Sequence, residues 1–137
     1  MCPAHSPYVE YEEARRRASA GWLDAASVAA RLGKAPGEIT ALRKAGELLA
    51  VWLPSDQRFL YPTWQFDERD NPIPEVVPLL ALLRSPNGMG IGVPSTGWGE
   101  VEWFVSYHVL LDGLSPADVL VSDSARVLAI AREEFAS

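Results

Sequence analysis

The chain has 137 residues, 48% of them hydrophobic and 22% charged, with one cysteine and a formal net charge of −6. That is enough apolar material for one compact domain or two very small ones sharing an interface, while no apolar run reaches the ~20 residues of a membrane helix. The lone Cys2 excludes a disulfide framework and a thiolate metal cluster, and the N-terminal stretch lacks the apolar core of a secretory signal, so a soluble cytosolic protein is expected.

The net charge argues at first against nucleic acid, but its distribution is uneven. Residues 31–58 carry five basic groups (Arg31, Lys34, Arg43, Lys44, Arg58) against three acidic ones, whereas residues 59–137 carry four basic and eleven acidic groups. A small positive segment inside an acidic chain fits a DNA-contacting module joined to a module that meets something else.

In chain order, residues 1–9 are Pro-rich and read as loose. Glu10 to Ala20 reads as a helix with an acidic start and a basic end, Glu12 and Glu13 lying one turn before Arg16 and Arg17. Asp24 is a good N-cap for a short helix ending near Leu32, with Val28, Ala29 and Leu32 on one apolar stripe. Gly33 suits the left-handed residue that ends it. After the three-residue turn Gly33-Lys34-Ala35, Pro36 takes a first-turn position of a second helix that turns Ile39, Leu42 and Ala45 inward and closes at Gly46. Two short helices, a tight glycine turn and the small residues Ala25, Ala26, Ala29 and Ala30 make a helix-turn-helix pattern.

The period then changes. LLAVWLPSDQRFLYP gives an apolar strand, a Pro-Ser-Asp turn and a second strand of Arg58, Phe59, Leu60 and Tyr61 that Pro62 stops. A hairpin in that position is the wing of a winged helix-turn-helix. Past Pro72 and Pro74 a helix runs from about Glu75 to Arg84, and a Gly/Pro-rich loop follows. Trp98 to Leu111 is apolar at helical spacing (Val101, Phe104, Val105, Val109), Asp112-Gly113 breaks it, Ser115 and Pro116 open a short helix, and DSARVLAIAREEF closes the chain as an amphipathic helix.

Several chemistries compete for these residues. A recognition helix presents polar residues to base edges in the major groove, and here Lys34, Glu38, Thr40, Arg43 and Lys44 lie on or beside the second helix. Arg43 suits a paired contact to guanine, and Lys34 and Arg58 suit phosphates. With so few cations, tight binding requires a dimer on paired half-sites. The crowded aromatics Tyr61, Trp64 and Phe66 could form a stacking platform, a ligand cage or a packing junction. Their neighbours Asp67, Glu68 and Asp70 repel phosphate, which favours the junction. Gly88 to Gly92 (GMGIG) follows a helix and lacks the lysine of a phosphate loop, so it reads as a flexible loop. His108 and Asp112 lie four apart, which would put them on one helical face. No third partner, activated nucleophile or metal-ligand spacing accompanies them, so no enzyme, cofactor or metal is expected.

The C-terminal third, WFVSYHVLLDGLSPADVLVSDSARVLAIAREEF, resembles the toxin-binding domain of the Xre/MbcA/ParS antitoxin-like family. The matching residues are Trp103, Leu111, Gly113, Ser115, Pro116, Val119, Leu120, Val127 and Ala131. The segment YPTWQFD, with Pro72 and Pro74, is similar to the middle of members that carry a short N-terminal helix-turn-helix. The resemblance implies a DNA-binding antitoxin of a type II toxin-antitoxin system that dimerises, binds its own operator as double-stranded DNA and masks a cognate toxin, in several systems a RES-type one. Trp103, Leu111, Gly113, Ser115, Pro116 and Leu120 would then be partner-binding, and Lys34, Thr40, Arg43, Lys44 and Arg58 DNA-binding. Acids at Glu100, Glu102, Asp112, Asp118 and Asp123 would draw a basic partner surface. A solitary transcription regulator and a protein-interaction adaptor without DNA binding are the alternatives. The expected architecture is mainly α, with a tail and helix over 1–20, a helix-turn-helix with a wing-like hairpin over 21–66, and a helical toxin-binding-like bundle over 67–137.

Overall fold

A computed structural model describes residues 7–85 and 96–135. The chain is mainly helical: α1 (Pro7–Ala18), α2 (Ala25–Leu32), α3 (Pro36–Lys44), the antiparallel hairpin β1 (Val51–Leu53) and β2 (Arg58–Leu60), then α4 (Val76–Arg84), α5 (Trp98–Val105), α6 (Pro116–Leu120) and α7 (Ser124–Phe135). In the hairpin Val51 faces Leu60 and Leu53 faces Arg58. The Gly88 to Gly92 loop lies outside the described residues.

The helix-turn-helix forms as its residues dictate. Asp24 caps α2 by accepting the Ser27 N–H at 2.8 Å, and Gly33, at φ +67°, ends it. That hydrogen bond, with the Arg58 guanidinium beside it, holds the Asp24 carboxyl below its ordinary value of 3.8. A carboxylate with a lowered folded pKa stabilises above its unfolded pKa, and that contribution is lost as pH falls through the folded one. Asp24→Ala is therefore expected to cost about 1 kcal/mol at neutral pH, with the gap to wild type narrowing under acid; urea unfolding at neutral pH and below the ordinary carboxylate range checks this.

Among the described residues two apolar clusters form. One, under α2 and α3, holds Val28, Ala29, Ile39, Leu48, Ala50, Tyr61 and Phe66. The larger one joins Leu49, Val51, Leu53 and Leu60 to α4 through α7. The hairpin thus feeds both, and the boundary expected at residue 66 runs through shared packing. The crowded aromatics form the junction. Tyr61 and Phe66 enter the first cluster, while Trp64 packs on the second, 4.8 Å from Phe104 between ring centres. Trp22 meets Trp64 edge-on at 6.2 Å and stacks on Trp98 at 6.3 Å. Between them, Gln65 is fully buried. Its side-chain amide accepts from Leu49 N–H at 2.9 Å and donates to the Leu49 and Pro62 carbonyls at 2.8 and 3.1 Å. It thereby completes backbone pairing that no strand supplies.

Five expectations change. The first helix begins at Pro7, a residue suited to a first helical position, so residues 7–9 are not loose. Glu12 and Arg16 do not serve an intrahelical pair. They cross to the hairpin turn, where Glu12 accepts from Ser55 N–H at 2.9 Å and Arg16 meets Asp56 at 3.0 Å. Ala45 is exposed at the end of α3, as are Ala26 and Ala30 on α2. The helix expected to reach Leu111 stops at Val105, because the Ser106 hydroxyl donates to the Glu102 carbonyl and Asp112 and Gly113 take left-handed backbone, folding the chain back. Val105 and Val109 therefore face outward, and His108 and Asp112 part: His108 turns to Glu134 at 3.5 Å and Asp112 to Arg126 at 3.4 Å. Finally, Glu100 is not a surface acid; it is fully buried and paired with Arg84.

Candidate nucleic-acid interface

Helix α3 turns Ile39 into the core, which leaves Gly37, Glu38, Ala41 and Lys44 exposed and Thr40 half-buried beside them. Gly37 has open space where a side chain would stand, so this face is low near the helix start and admits close approach of another backbone. Lys44 rises from its far end and makes no ion pair among the described residues. The Thr40 hydroxyl donates to the Pro36 carbonyl at 3.4 Å. Glu38 accepts from Ala35 N–H at 3.4 Å at the helix start, where its charge suits the helix dipole.

The remaining cations are engaged. Lys34, in the turn before α3, lies 3.8 Å from Glu38. Arg58, on β2, lies 3.4 Å from Asp24 and 3.6 Å from Asp56, tying the hairpin to the start of α2. Exposed pairs of this kind contribute only about 0–1 kcal/mol, so breaking any of the three costs little. Arg43 is different. It is half-buried, its guanidinium carbon 3.7 Å from the centre of the Phe59 ring, and Phe59 in turn lies 5.0 Å from Trp52. Its Nε is buried with no hydrogen-bond partner among the described residues. Burial raises the pKa of the Tyr61 hydroxyl, and the Arg43 charge beside it pulls the other way. Arg43 thus clamps α3 to the hairpin, and the five DNA-binding candidates divide into one clamp, two paired cations and the Thr40–Lys44 face.

The six partner-binding candidates lie otherwise. Leu111 and Leu120 are fully buried, and Pro116 is buried too. Ser115 caps α6 in a reciprocal box, its hydroxyl accepting from Asp118 N–H at 3.2 Å while Asp118 accepts from Ser115 N–H at 3.2 Å. Trp103 is half-buried, donating to Glu134 at 2.9 Å and packed edge-on against Phe104. Gly113 is exposed in left-handed backbone. These residues build the bundle. The apolar side chains that reach solvent in the same stretch are Val105, Tyr107, Val109, Leu110 and Leu114, which the helical spacing had assigned inward or passed over.

No family model matches the sequence, and no curated protein matches it. Among solved structures, the NMR structure of Rv2175c is similar over 83% of this chain and 80% of that one, with a TM-score of 0.67 and 19% identity. At that identity the likeness is one of fold.

Proposed function

We propose that this chain is a sequence-specific regulator that binds double-stranded DNA through α3 and the β1–β2 hairpin. The observation that carries the reading is the coupling of a low, open α3 face ending in Lys44 to a hairpin fixed against the same helix by the Arg43–Phe59 stack. The helix would enter the major groove, with Thr40 and Lys44 toward base edges, while Lys34 and Arg58 exchange their acids for phosphates. The antitoxin part of the reading, a toxin masked by the C-terminal bundle and autorepression of the operon, takes its support from the residue pattern between Trp103 and Ala131.

Selection of bound duplexes from a random-sequence pool, followed by anisotropy titration, tests it. A preferred duplex is expected, with affinity falling steeply as salt rises. Lys44→Glu should weaken binding at least tenfold, a change of about 1.4 kcal/mol. Arg43→Ala is a poor probe because it also unclamps the hairpin. Failure to enrich any sequence, or unchanged affinity in Lys44→Glu, would overturn the reading.

A further inference from the structure

We infer that Arg16, on α1 and outside the helix-turn-helix, is a further DNA-backbone contact, set beside Arg58 at the turn of the hairpin. This role rests on the DNA reading above, in which the hairpin meets the duplex, and it adds a third element to that interface.

Helix α1 is fastened to the hairpin at its turn. Glu12 accepts from Ser55 N–H at 2.9 Å, and one helical turn later the Arg16 guanidinium reaches Asp56 Oδ1 at 3.0 Å. The other oxygen of that carboxylate lies 3.6 Å from the Arg58 guanidinium, so a single acid holds two arginines from different elements side by side. Arg58 also reaches Asp24, at 3.4 Å, and Asp24 caps the start of α2. The end of α1, the hairpin turn and the start of α2 therefore form one continuous row of charges. In a helix-turn-helix the first helix crosses the DNA backbone, which puts this row beside phosphates.

By count the row is not basic, since Glu12, Glu13, Asp24 and Asp56 oppose Arg16, Arg17 and Arg58. Its layering is what suits an anion. The side chains of Arg16 and Arg58 are 54% and 50% exposed, against 26% for Asp56 and 37% for Asp24. Glu12 is half-buried and occupied by the Ser55 N–H, which leaves Glu13 as the exposed acid of the four. Arg17, next to Arg16, is exposed and makes no ion pair among the described residues. The guanidiniums thus form the outer layer. An exposed pair breaks at little cost, and an arginine fork matches phosphate oxygens two at a time. Arg16 can turn from Asp56 to a phosphate while the Glu12–Ser55 bond keeps α1 on the hairpin.

Anisotropy titration of the full chain on its selected duplex, repeated over a range of salt, tests this. Each phosphate contact adds ~0.9 to the slope of log affinity against log salt. Arg16→Gln should make the slope shallower by about one and weaken binding about fivefold near ~0.15 M salt, equally for selected and unrelated duplexes. Arg16→Lys keeps the charge and should hold the slope. Arg132→Gln removes the same net charge from α7, which packs on α4 and α6, and should change the slope little. Circular dichroism verifies that the variants fold. Should Arg16→Gln unfold α1, Glu13→Gln decides, because a gain in affinity cannot come from unfolding: it should tighten binding more than Glu133→Gln on α7 does. A slope in Arg16→Gln no shallower than in Arg132→Gln overturns the inference, as does an Arg16→Lys loss equal to that of Arg16→Gln, or equal gains in Glu13→Gln and Glu133→Gln. The DNA reading survives those results as long as Lys44→Glu still weakens binding. A chain that binds no duplex sinks both.

Discussion

Replacing Gly97 with alanine is expected to remove about 4 kcal/mol or more of stability, a large part of the ~5–15 kcal/mol available to a domain of this kind. Gly97 sits at φ +85° just before α5, and a Cβ there would stand 1.9 Å from the Ala50 carbonyl oxygen and 2.8 Å from its carbon. Both obstacles are backbone, so no side chain can swing aside. The residues on either side are pinned to the hairpin as well: Trp52 N–H donates to the Thr96 carbonyl at 2.8 Å, and the Trp98 indole donates to the Trp52 carbonyl at 2.8 Å. Relieving the clash would pull both apart and lift α5 from β1, beyond the left-handed strain that alanine adds. Urea unfolding followed by tryptophan fluorescence measures the loss. A variant within about 1 kcal/mol of wild type would show that α5 does not need this close approach.

The second large effect is expected from Arg84→Ala. Arg84 closes α4, and two of its guanidinium nitrogens reach the same Glu100 oxygen, at 3.0 and 3.1 Å, on the first turn of α5. Glu100 is fully buried while Arg84 reaches the surface. Truncating the arginine removes a cation that pairs with a buried carboxylate, a change that costs about 3–5 kcal/mol. Adding Glu100→Gln to that variant should recover much of the loss, because a neutral amide at that position needs no counter-charge. A double-mutant cycle by thermal or urea unfolding checks the pair. Additive losses from the two single changes would show that the pair contributes nothing specific.

The local grammar of the chain was legible because it depends on near neighbours. Asp24, Gly33 and Pro36 set the helix-turn-helix by capping, left-handed backbone and a fixed φ, all properties of the residue itself. The hairpin, the Ser115–Pro116 start of α6 and the junction role of Tyr61, Trp64 and Phe66 follow from similar short-range rules. The errors came from competition that spacing does not show. Val101, Phe104, Val105 and Val109 fit a helical period, yet Ser106 and the left-handed Asp112-Gly113 step outweighed it. Likewise the Arg84–Glu100 pair spans 16 residues and leaves no local trace, so Glu100 read as a surface acid.

At the candidate interface, residue type was readable and direction was not. Arg43 carried the right chemistry for guanine, but Phe59, 16 positions later, offered its ring face and took it. The six partner-binding candidates were recognisable as a pattern because a pattern of apolar residues records the core. The solvent-facing side chains between them, from Tyr107 to Leu114, carry the surface chemistry. Gly97 had a signal in the sequence, a glycine directly before a tryptophan-led helix, hidden by the glycine-rich stretch ahead of it.

Residues 61–66 cross from one apolar cluster to the other and back, with Gln65 stitched to Leu49 on the way. A fragment ending there would keep α2, α3 and the hairpin but expose Val51, Leu53, Leu60 and Trp64 to water. Neither half is a free-standing part. The chain should melt in one cooperative transition, with tryptophan fluorescence and helical signal falling together, and a protease nick near residue 66 would collapse the helix-turn-helix end instead of releasing it.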